Sequence, residues 1–302
     1  MNTRLLSLAG TGVLCGWLLA GCSTPDQKAG SAVRSNMATA QGTAAPAAPG
    51  AVAAAQVQTA LPNFIRQRFT SRIVHGKEDY RTPDCVALGT RDCWIGSGVF
   101  VSTNVILTAK HVVAMNPVRA WYGPSIGLEG AGGTELDLDT TRTDRHWDEN
   151  VDLGIVVVAQ PQDLKIRPRA SVKETTDARW LDVVGYGCTN ENGSGTVAKR
   201  YAVIMNIKAN PCSEKDWNNY KSFKGTEMIA GGKEGDTCYG DSGGPAIVES
   251  KLAGIISREV KQEGGRCDLG SIFVRTAEQE TWIKQEIEKN RPRQPKASPH
   301  LE

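Results

Sequence analysis

Short apolar runs, each bounded by turn-forming residues, recur along the chain from Ile73 onward. WIGSGVFVS, NVILTA, DLGIVVVA and SIFVRT are examples that are rich in Val and Ile and flanked by Gly, Asn or Ser. Segments of that length and composition predict β-strands. Because they do not alternate with helical segments, the pattern favours antiparallel strands in a sandwich or barrel. The chain is therefore predicted to be all-β.

One segment near the C-terminus departs from this pattern. Residues 277–290, AEQETWIKQEIEKN, place Trp282, Ile283 and Ile287 near one helical face and charged residues on the others. The spacing predicts a terminal α-helix that docks on the strands through Trp282.

The N-terminus has the pattern of an export signal. Arg4 precedes an apolar run over residues 5–20, which is too short for a good membrane span. The run ends in LLAGC, which resembles the cleavage box of bacterial lipoproteins, in which Cys22 becomes the lipid-bearing first residue. An ordinary signal peptide with a chance cysteine is the alternative. Ser23 resembles the signal that sorts lipoproteins to the outer membrane, so we expect a bacterial outer-membrane lipoprotein, a secreted protein, or both in turn.

Composition sets the expected limits of the folded region. Thirteen of the 32 residues in 29–60 are Ala, with no aromatic residue among them, so residues 22–72 are predicted to form a disordered tether or propeptide. With the signal peptide at 1–21 and a tail at 291–302, the folded domain is expected at 73–290. The formal net charge of +2 predicts no binding to nucleic acid.

Cysteine usage agrees with export. Apart from Cys15 in the signal and Cys22, six cysteines remain, and an even number in an exported chain favours disulfides. No CxxC or His-rich spacing indicates a metal site, and no cofactor is expected.

Candidate chemistry is concentrated around Ser242, in the stretch GDTCYGDSGGPAIV. A serine hydroxyl is a weak nucleophile unless a base and backbone oxyanion donors surround it. Glycines let backbone N–H groups approach a reacting centre, so Gly240 and Ser242 could supply two such donors. A Gly-rich β-turn without chemistry is the alternative.

A base and its orienting carboxylate can be chosen from few residues. Of the histidines in the folded region, His75 lies near its start and His146 in a charged loop, whereas His111 follows the apolar strand NVILTA. Asp152 opens the apolar strand DLGIVVVA, where burial would strengthen its hold on an imidazolium. A core histidine and a strand-initiating turn Asp are the corresponding alternatives.

These three stretches together resemble the trypsin/chymotrypsin family of serine endopeptidases, in the family's order. LTAKHVV is similar to its Thr-Ala-Ala-His segment, VDLGIVVV to its Asp-Ile-Ala-Leu segment, and GDSGGP matches its serine signature. The resemblance implies two packed six-stranded antiparallel β-barrels, about 73–175 and 176–276, with the site in the cleft between them. It also implies that Ser242 attacks a peptide carbonyl, that His111 transfers the proton, and that Asp152 fixes the histidine tautomer. The resemblance therefore implies protein or peptide substrates.

The resemblance extends to a substrate pocket, with departures. Asp236, six residues before the serine, matches the family position that selects Arg or Lys before the scissile bond. The wall of the pocket is usually Ser-Trp-Gly, whereas this chain has Ser257, Arg258 and Glu259, followed by a longer loop. Glu259 could narrow the pocket or add negative charge, and Arg258 could neutralise Asp236. The basic preference therefore stays open.

The resemblance also implies activation by cleavage. SRIVHGKE is similar to the family's activation site, so cleavage after Arg72 would free the Ile73 amine to pair with Asp241. A buried Asp241 without a cation would cost several kcal/mol, so a zymogen is expected. Cleavage would also release the enzyme from a lipid anchor. The alternative is that IVHG is only a first strand and that the chain needs no cleavage.

The six cysteines allow 15 pairings. Cys238–Cys267 matches a bridge of the family that braces the serine loop, and by elimination we expect Cys85–Cys93 and Cys188–Cys212. The family's bridge beside the catalytic histidine is missing, because Val112 follows His111.

A protein of a different class remains as an alternative function. A protease-like binding or adhesion protein of the cell surface could keep this fold after losing turnover, and the changed pocket wall keeps that interpretation open. The intact Ser, His and Asp set disfavours it. An esterase does not fit, since the Asp precedes the serine in the chain.

Overall fold

The computed structural model describes residues 76–127, 133–188, 199–233, 235–260, 267 and 269–292. The strands in these residues are β1 (Lys77–Glu78), β2 (Cys85–Gly89), β3 (Trp94–Phe100), β4 (Val105–Thr108), β5 (Arg119–Tyr122), β6 (Thr134–Asp137), β7 (Asp144–Arg145), β8 (Gly154–Val157), β9 (Trp180–Gly185), β10 (Tyr201–Ala209), β11 (Glu227–Ala230), β12 (Pro245–Val248), β13 (Lys251–Glu259) and β14 (Ser271–Arg275). The helices are α1 (Lys110–Ala114), α2 (Val172–Asp177), α3 (Glu214–Tyr220) and α4 (Glu280–Lys289), with 3-10 turns at Thr140–Arg142 and Ala277–Gln279.

The later strands close into a six-stranded antiparallel barrel. The sheet runs β10-β11-β14-β13-β12-β9, and β9 pairs back with β10, so each barrel strand has a neighbour on both sides. β1 is added alongside β10, next to the end of β11. Side chains that alternate inward fill the barrel, among them Leu181, Met205, Met228, Ile256 and Phe273. Closure leaves no barrel strand with an open edge.

The earlier strands form a curled sheet in the order β6-β5-β2-β3-β4-β8-β7. Its two sides are joined beyond β6 and β8 by a single bridge between Leu138 and Val158. The pairing stops there because Asp139 caps the 3-10 turn that follows and accepts a hydrogen bond from the backbone of Thr141. The predicted all-β fold is confirmed, although this half is a partly closed sheet rather than a barrel with a full sixth pairing.

The two halves meet in one shared hydrophobic cluster, which the C-terminal helix completes. Leu107 and Ile155 of the curled sheet pack in the same cluster as Leu252 and Ile255 of the barrel and Trp282 of α4. The predicted terminal helix over 277–290 is confirmed, with a 3-10 turn as its first residues. It holds the halves together, and the site described below depends on contributions from both.

The disulfide expectations meet different outcomes. Cys238 and Cys267 are bridged. The Cys85–Cys93 pairing is wrong: Cys85 is opposite Val99 at one end of the β2–β3 hairpin, whereas Cys93 lies just before β3 at the other. Four residues of strand separate the two ends by about 13 Å, well beyond the reach of a disulfide.

The Cys188–Cys212 pairing is also wrong, since the two residues lie in different clusters. The Cys188 thiol packs beside the Cys238–Cys267 bridge, and Cys212 packs against Ile229 and Ile272. Burial raises the pKa of the Cys212 thiol to about 11, as expected of an inert core cysteine.

Several predicted features lie outside the described residues. These are the signal peptide 1–21 with Cys22, the tether 22–72 with Arg72, Ile73, His75, most of the 291–302 tail and most of the loop between Glu259 and Cys267. Within the described part of the chain, no helix has both the length and the apolar character needed to span a membrane.

The docking of α4 can be tested with two tryptophans that both contact His146. Trp282 contacts it edge-on and is 8% exposed, whereas Trp147 stacks on it and is 77% exposed. Trp282→Ala should lower the free energy of unfolding by about 3–5 kcal/mol, because it empties a filled core site. Trp147→Ala should change it by less than about 1 kcal/mol. Urea unfolding followed by circular dichroism measures both, and equal effects would contradict the proposed docking.

Candidate active site

The predicted base, His111, stands just after the end of a buried strand. β4 ends at Thr108, whose hydroxyl donates to the carbonyl of Ser97 in β3 at 2.7 Å. Ala109 is extended, and α1 then carries His111 outward while Val112 and Val113 are buried beneath it. The imidazole is 40% exposed, so one side of it is open to a substrate.

The predicted orienting carboxylate, Asp152, reaches His111 from the start of β8. Its Oδ2 lies 2.9 Å from Nδ1 of His111, and its Oδ1 accepts the backbone N–H of His111 at 3.1 Å. The hydroxyl of Ser257, from the barrel, donates to Oδ2 at 2.6 Å. Burial acts to raise the pKa of Asp152, but the bonds from His111 and Ser257 outweigh it and hold the pKa below its usual range.

This geometry determines the tautomer of the histidine. An ionised carboxylate only accepts hydrogen bonds, so Nδ1 of His111 must carry the proton that it shares with Asp152. Nε2 is then the unprotonated nitrogen and can accept a proton. The arrangement suits a general base.

The serine loop is held against the elements that carry His111. A Cβ added to Gly243 would lie 2.0 Å from Oγ1 of Thr108 and 3.0 Å from the backbone nitrogen of Ala109. Gly243 also has a φ of +86°, so no other residue fits this approach without strain. The backbone N–H of Ser97 donates to the carbonyl of Ser242 at 2.8 Å. Ser242 is thereby placed beside the turn that leads into α1.

Ser97 also holds Gly240, which lies two residues before the predicted nucleophile Ser242. Sequence reasoning missed this contact. The buried hydroxyl of Ser97 donates to the carbonyl of Gly240 at 2.9 Å and accepts the N–H of Tyr186 at 3.1 Å. The N–H groups of Asp241, Gly243 and Gly244 bond within the fold. The N–H groups of Gly240 and Ser242 stay the predicted oxyanion donors. No local pattern around Ser97 pointed to this contact, since the residues are 143 positions apart.

Asp241 is a buried carboxylate enclosed by backbone. It accepts the N–H of Gly187 and the N–H of Cys238, both at 2.8 Å. A Cβ on Gly185 would lie 2.1 Å from its Oδ1, so that position must be glycine. Burial raises the pKa of Asp241 to about 7; the two N–H bonds oppose the shift, and the charge of Asp236 adds to it.

Asp236 is likewise fully buried, at the base of the predicted pocket. It accepts the N–H groups of Thr237 at 2.9 Å and Gly270 at 2.7 Å, and the hydroxyl of Ser271. Burial raises its pKa to about 6 against these bonds and the weaker influence of Lys208. The bond from its N–H places Gly270 beside Asp236.

The contacts of the pocket-wall residues differ from the alternatives that the sequence suggested for Arg258 and Glu259. The Arg258 guanidinium donates to both carboxylate oxygens of Glu227, at 2.7 and 2.9 Å, and to the Ser257 hydroxyl at 3.1 Å. The interpretation that Arg258 neutralises Asp236 is therefore wrong, because its charge is matched by Glu227. The Glu259 carboxylate lies 3.4 Å from Sγ of Cys267, so it stands beside the disulfide. Sequence reasoning missed Glu227, which no motif marks.

Two residues named in the sequence analysis, Val112 and His146, have packing roles outside the site. A Cβ on Gly96 would lie 2.9 Å from both γ-methyl groups of Val112. The Val112 side chain therefore fills the space next to His111, where the family has a disulfide bridge and this chain has none. His146 is buried against Trp147 and Trp282, and its Nδ1 accepts the N–H of Asp148 at 3.1 Å. Burial lowers the pKa of His146, as expected of a neutral core histidine.

Among the described residues, no group of three or more His, Cys, Asp or Glu side chains is arranged to hold a metal ion.

Comparisons with known proteins agree with this geometry. A family model described as Trypsin matches residues 73–283. Trypsin iota of Drosophila melanogaster is 27% identical over 169 residues, which cover 53% of this chain and 66% of the relative. Trypsin of Phaedon cochleariae is 27% identical over 215 residues, which cover 63% of this chain and 78% of the relative. The chain thus spans just under two thirds of the first relative's length.

Among solved structures, the chain is similar to neuropsin, a serine protease expressed in the limbic system of mouse brain. The TM-score is 0.58 at 21% identity, and the match covers 70% of this chain and 98% of neuropsin, which is a likeness of fold. The family model spans well over half of the sequence and includes all the residues of the described site. The chain belongs to the trypsin family of serine endopeptidases.

Proposed function

We propose that the protein hydrolyses peptide bonds with His111, Asp152 and Ser242, preferring Arg or Lys before the scissile bond. The observation that carries this proposal is the two-point contact of Asp152 with the ring and backbone of His111, beside the turn against which the Ser242 loop packs. Ser242 attacks the carbonyl, and Nε2 of His111 takes its proton and then returns it to the leaving amine. Asp152 stabilises the imidazolium.

The oxyanion that forms would be bound by the N–H groups of Gly240 and Ser242. Each such donor contributes about 3 kcal/mol to the transition state. Ser97 supports this arrangement because it holds the carbonyls of both residues, one through its hydroxyl and one through its N–H. These two bonds would hold the loop in place when the substrate arrives.

Active-site labelling tests the reaction itself. A fluorophosphonate should label Ser242 in the protein cut after Arg72, and Ser242→Ala should take up none. His111→Ala should slow labelling by at least about 10³-fold, because the serine loses its base. Peptide mapping by mass spectrometry locates the label. A cut wild-type protein that takes up no label would instead support the protease-like binding or adhesion protein.

The preference for basic residues rests on Asp236. Its described bonds use three of the four acceptor positions of a carboxylate, so one position on Oδ2 is left for a cation. Its pKa of about 6 leaves it mostly ionised at neutral pH. A substrate guanidinium or ammonium would supply a positive charge in direct contact, which the described hydrogen-bond partners of Asp236 do not.

The ratio of kcat/KM for matched Arg and Leu peptides isolates this contact, because effects that are common to both peptides cancel in the ratio. We expect the Arg peptide to be favoured by about 100-fold or more at pH 8. The ratio should fall as pH falls through the pKa of Asp236, about 6, since the protonated carboxyl no longer attracts a cation. Asp236→Asn, which keeps the shape, should remove the preference and its pH dependence. A preference for Leu would contradict the proposal.

We further propose that the chain is made as an exported, lipid-anchored zymogen. Its precursor would carry lipid on Cys22, and cleavage after Arg72 would release the enzyme and free the Ile73 amine. The relatives named above are insect and mouse proteins, so the bacterial lipoprotein proposal rests on the LLAGC box and Ser23 alone.

Pairing of the Ile73 amine with Asp241 is within reach of the chain. Glu78 pairs with Tyr201, which pairs on its other side with Gly185, the residue that touches the Asp241 carboxylate. Two strand spacings therefore separate Glu78 from Gly185, about 10 Å. The five residues from Ile73 to Glu78 span up to about 17 Å when extended. The described bonds to Asp241 come from neutral N–H groups, so an amine would add the missing charge.

The thermal stability of Ser242→Ala, intact or cut after Arg72 by an added protease, tests this pairing. A carboxyl with a raised pKa stabilises the intact chain at acid pH, and that contribution is lost as pH rises through about 7. In the cut chain, the amine should offset the loss, so cutting should raise Tm by about 2–4 °C or more at pH 8 and by less at pH 5. Equal differences at both pH values would contradict the pairing. Because Arg72 itself fits a pocket that prefers Arg, we also propose self-activation, which would be excluded by purified Ser242→Ala that is still cut after Arg72.

A further inference from the structure

The pocket-wall arginine forms one end of a chain of contacts that leads to the catalytic carboxylate. Glu227 in β11 has a side chain that is only 1% exposed, and Arg258 in β13 covers it at 28% exposure. The guanidinium also donates to the carbonyl of Lys221 at 2.8 Å and lies over the ring of Phe223 at 5.7 Å. A bidentate pair with these additional contacts has little freedom to reorient.

From this pair the contacts continue into the site. Arg258 donates to the hydroxyl of Ser257 at 3.1 Å, and that hydroxyl donates to Asp152 at 2.6 Å. A guanidinium has no acceptor, so it can only donate to Ser257. The single proton of the Ser257 hydroxyl is therefore directed at Asp152. Without Arg258 the hydroxyl could rotate and donate elsewhere.

Charge balance explains why the pair needs both members. Without Glu227, the charge of Arg258 would favour the ionised form of Asp152 and disfavour a positive charge on His111. The carboxylate of Glu227 cancels the charge of Arg258. Burial and the charge of Asp152 both act to raise the pKa of Glu227, opposed by Arg258, so the two carboxylates influence each other. Among the described contacts, Lys110 turns away toward the carbonyl of Asp148 and the carboxylate of Glu149.

We propose that Glu227 and Arg258 are positioning residues for Asp152: Arg258 directs the Ser257 proton onto the carboxylate, and Glu227 holds Arg258 and cancels its charge. The inference rests on hydrolysis by the Ser242, His111 and Asp152 set, and it is independent of the preference for basic substrates. Neither residue touches the reacting atoms. Their effect is transmitted through Ser257 and through charge.

The rate of fluorophosphonate labelling of the full chain, cut after Arg72, measured against pH, tests the two roles separately. Glu227→Gln leaves one net positive charge near Asp152, so the acid-limb midpoint should shift down by about half a pH unit. Arg258→Met should lower the plateau rate by about tenfold, because Ser257 is no longer directed. The double variant Glu227→Gln/Arg258→Met should recover the wild-type midpoint, since the pair has no net charge again, and should keep the low plateau rate. Arg258→Lys, which keeps the charge but not the fork, should recover only part of the rate.

A matched control is provided by the pair of Arg167 and Asp84, which is also bidentate and largely buried, with bonds of 2.9 and 2.8 Å. Arg167→Met should lose stability by a similar amount and leave midpoint and plateau unchanged. An unshifted midpoint in Glu227→Gln, or a plateau in Arg258→Met or in Arg258→Lys within about twofold of wild type, would overturn the inference. A wild-type protein that does not react would overturn the proposed hydrolysis instead.

Discussion

The largely buried carboxylate of Asp152 is the constraint on which the arrangement of the site depends. A buried anion requires donors, and here they come from both halves of the molecule: His111 from the curled sheet and Ser257 from the barrel. If the two halves moved apart, the carboxylate would lose one set of donors. The shared core and the docked Trp282 therefore protect the electrostatics of the site as well as the stability of the fold.

The serine loop is held by a second set of contacts that work through backbone. Ser97 bonds to the carbonyls on both sides of Asp241, while Gly243 fits against Thr108 with no room for a side chain. These contacts come from β3 and β4, the strands that also lead to His111. Ser242 and His111 are thus positioned by the same two strands, so their separation does not depend on the flexible ends of side chains.

Local sequence was enough to pick out the candidate site, because His111, Asp152 and Ser242 each lie in a short motif at the edge of an apolar strand. The terminal helix was predictable for the same reason, since its apolar face repeats within one segment. Contacts between distant segments were not predictable. The strand register separates Cys85 from Cys93, and nothing near Glu227 in the sequence indicates that Arg258 will turn toward it. Strand β2, which is buried on both faces, lacks the alternation that would have marked it.

Three aspartates of the site share a side chain but differ in the donors that surround them. Asp152 bonds to a histidine that can carry charge and has a pKa below its usual range, whereas Asp236 and Asp241 bond to neutral groups and have pKa values of about 6 and 7. Burial acts to raise the pKa in all three, but Asp152 is partly exposed and has a partner that can become cationic, whereas Asp236 and Asp241 are fully buried and bond to neutral groups. The two carboxylates without such a partner are those proposed to meet a cation from outside: a substrate side chain at Asp236 and the new amine of Ile73 at Asp241. Substrate binding and activation would then draw on the same physical source, the relief of a buried negative charge.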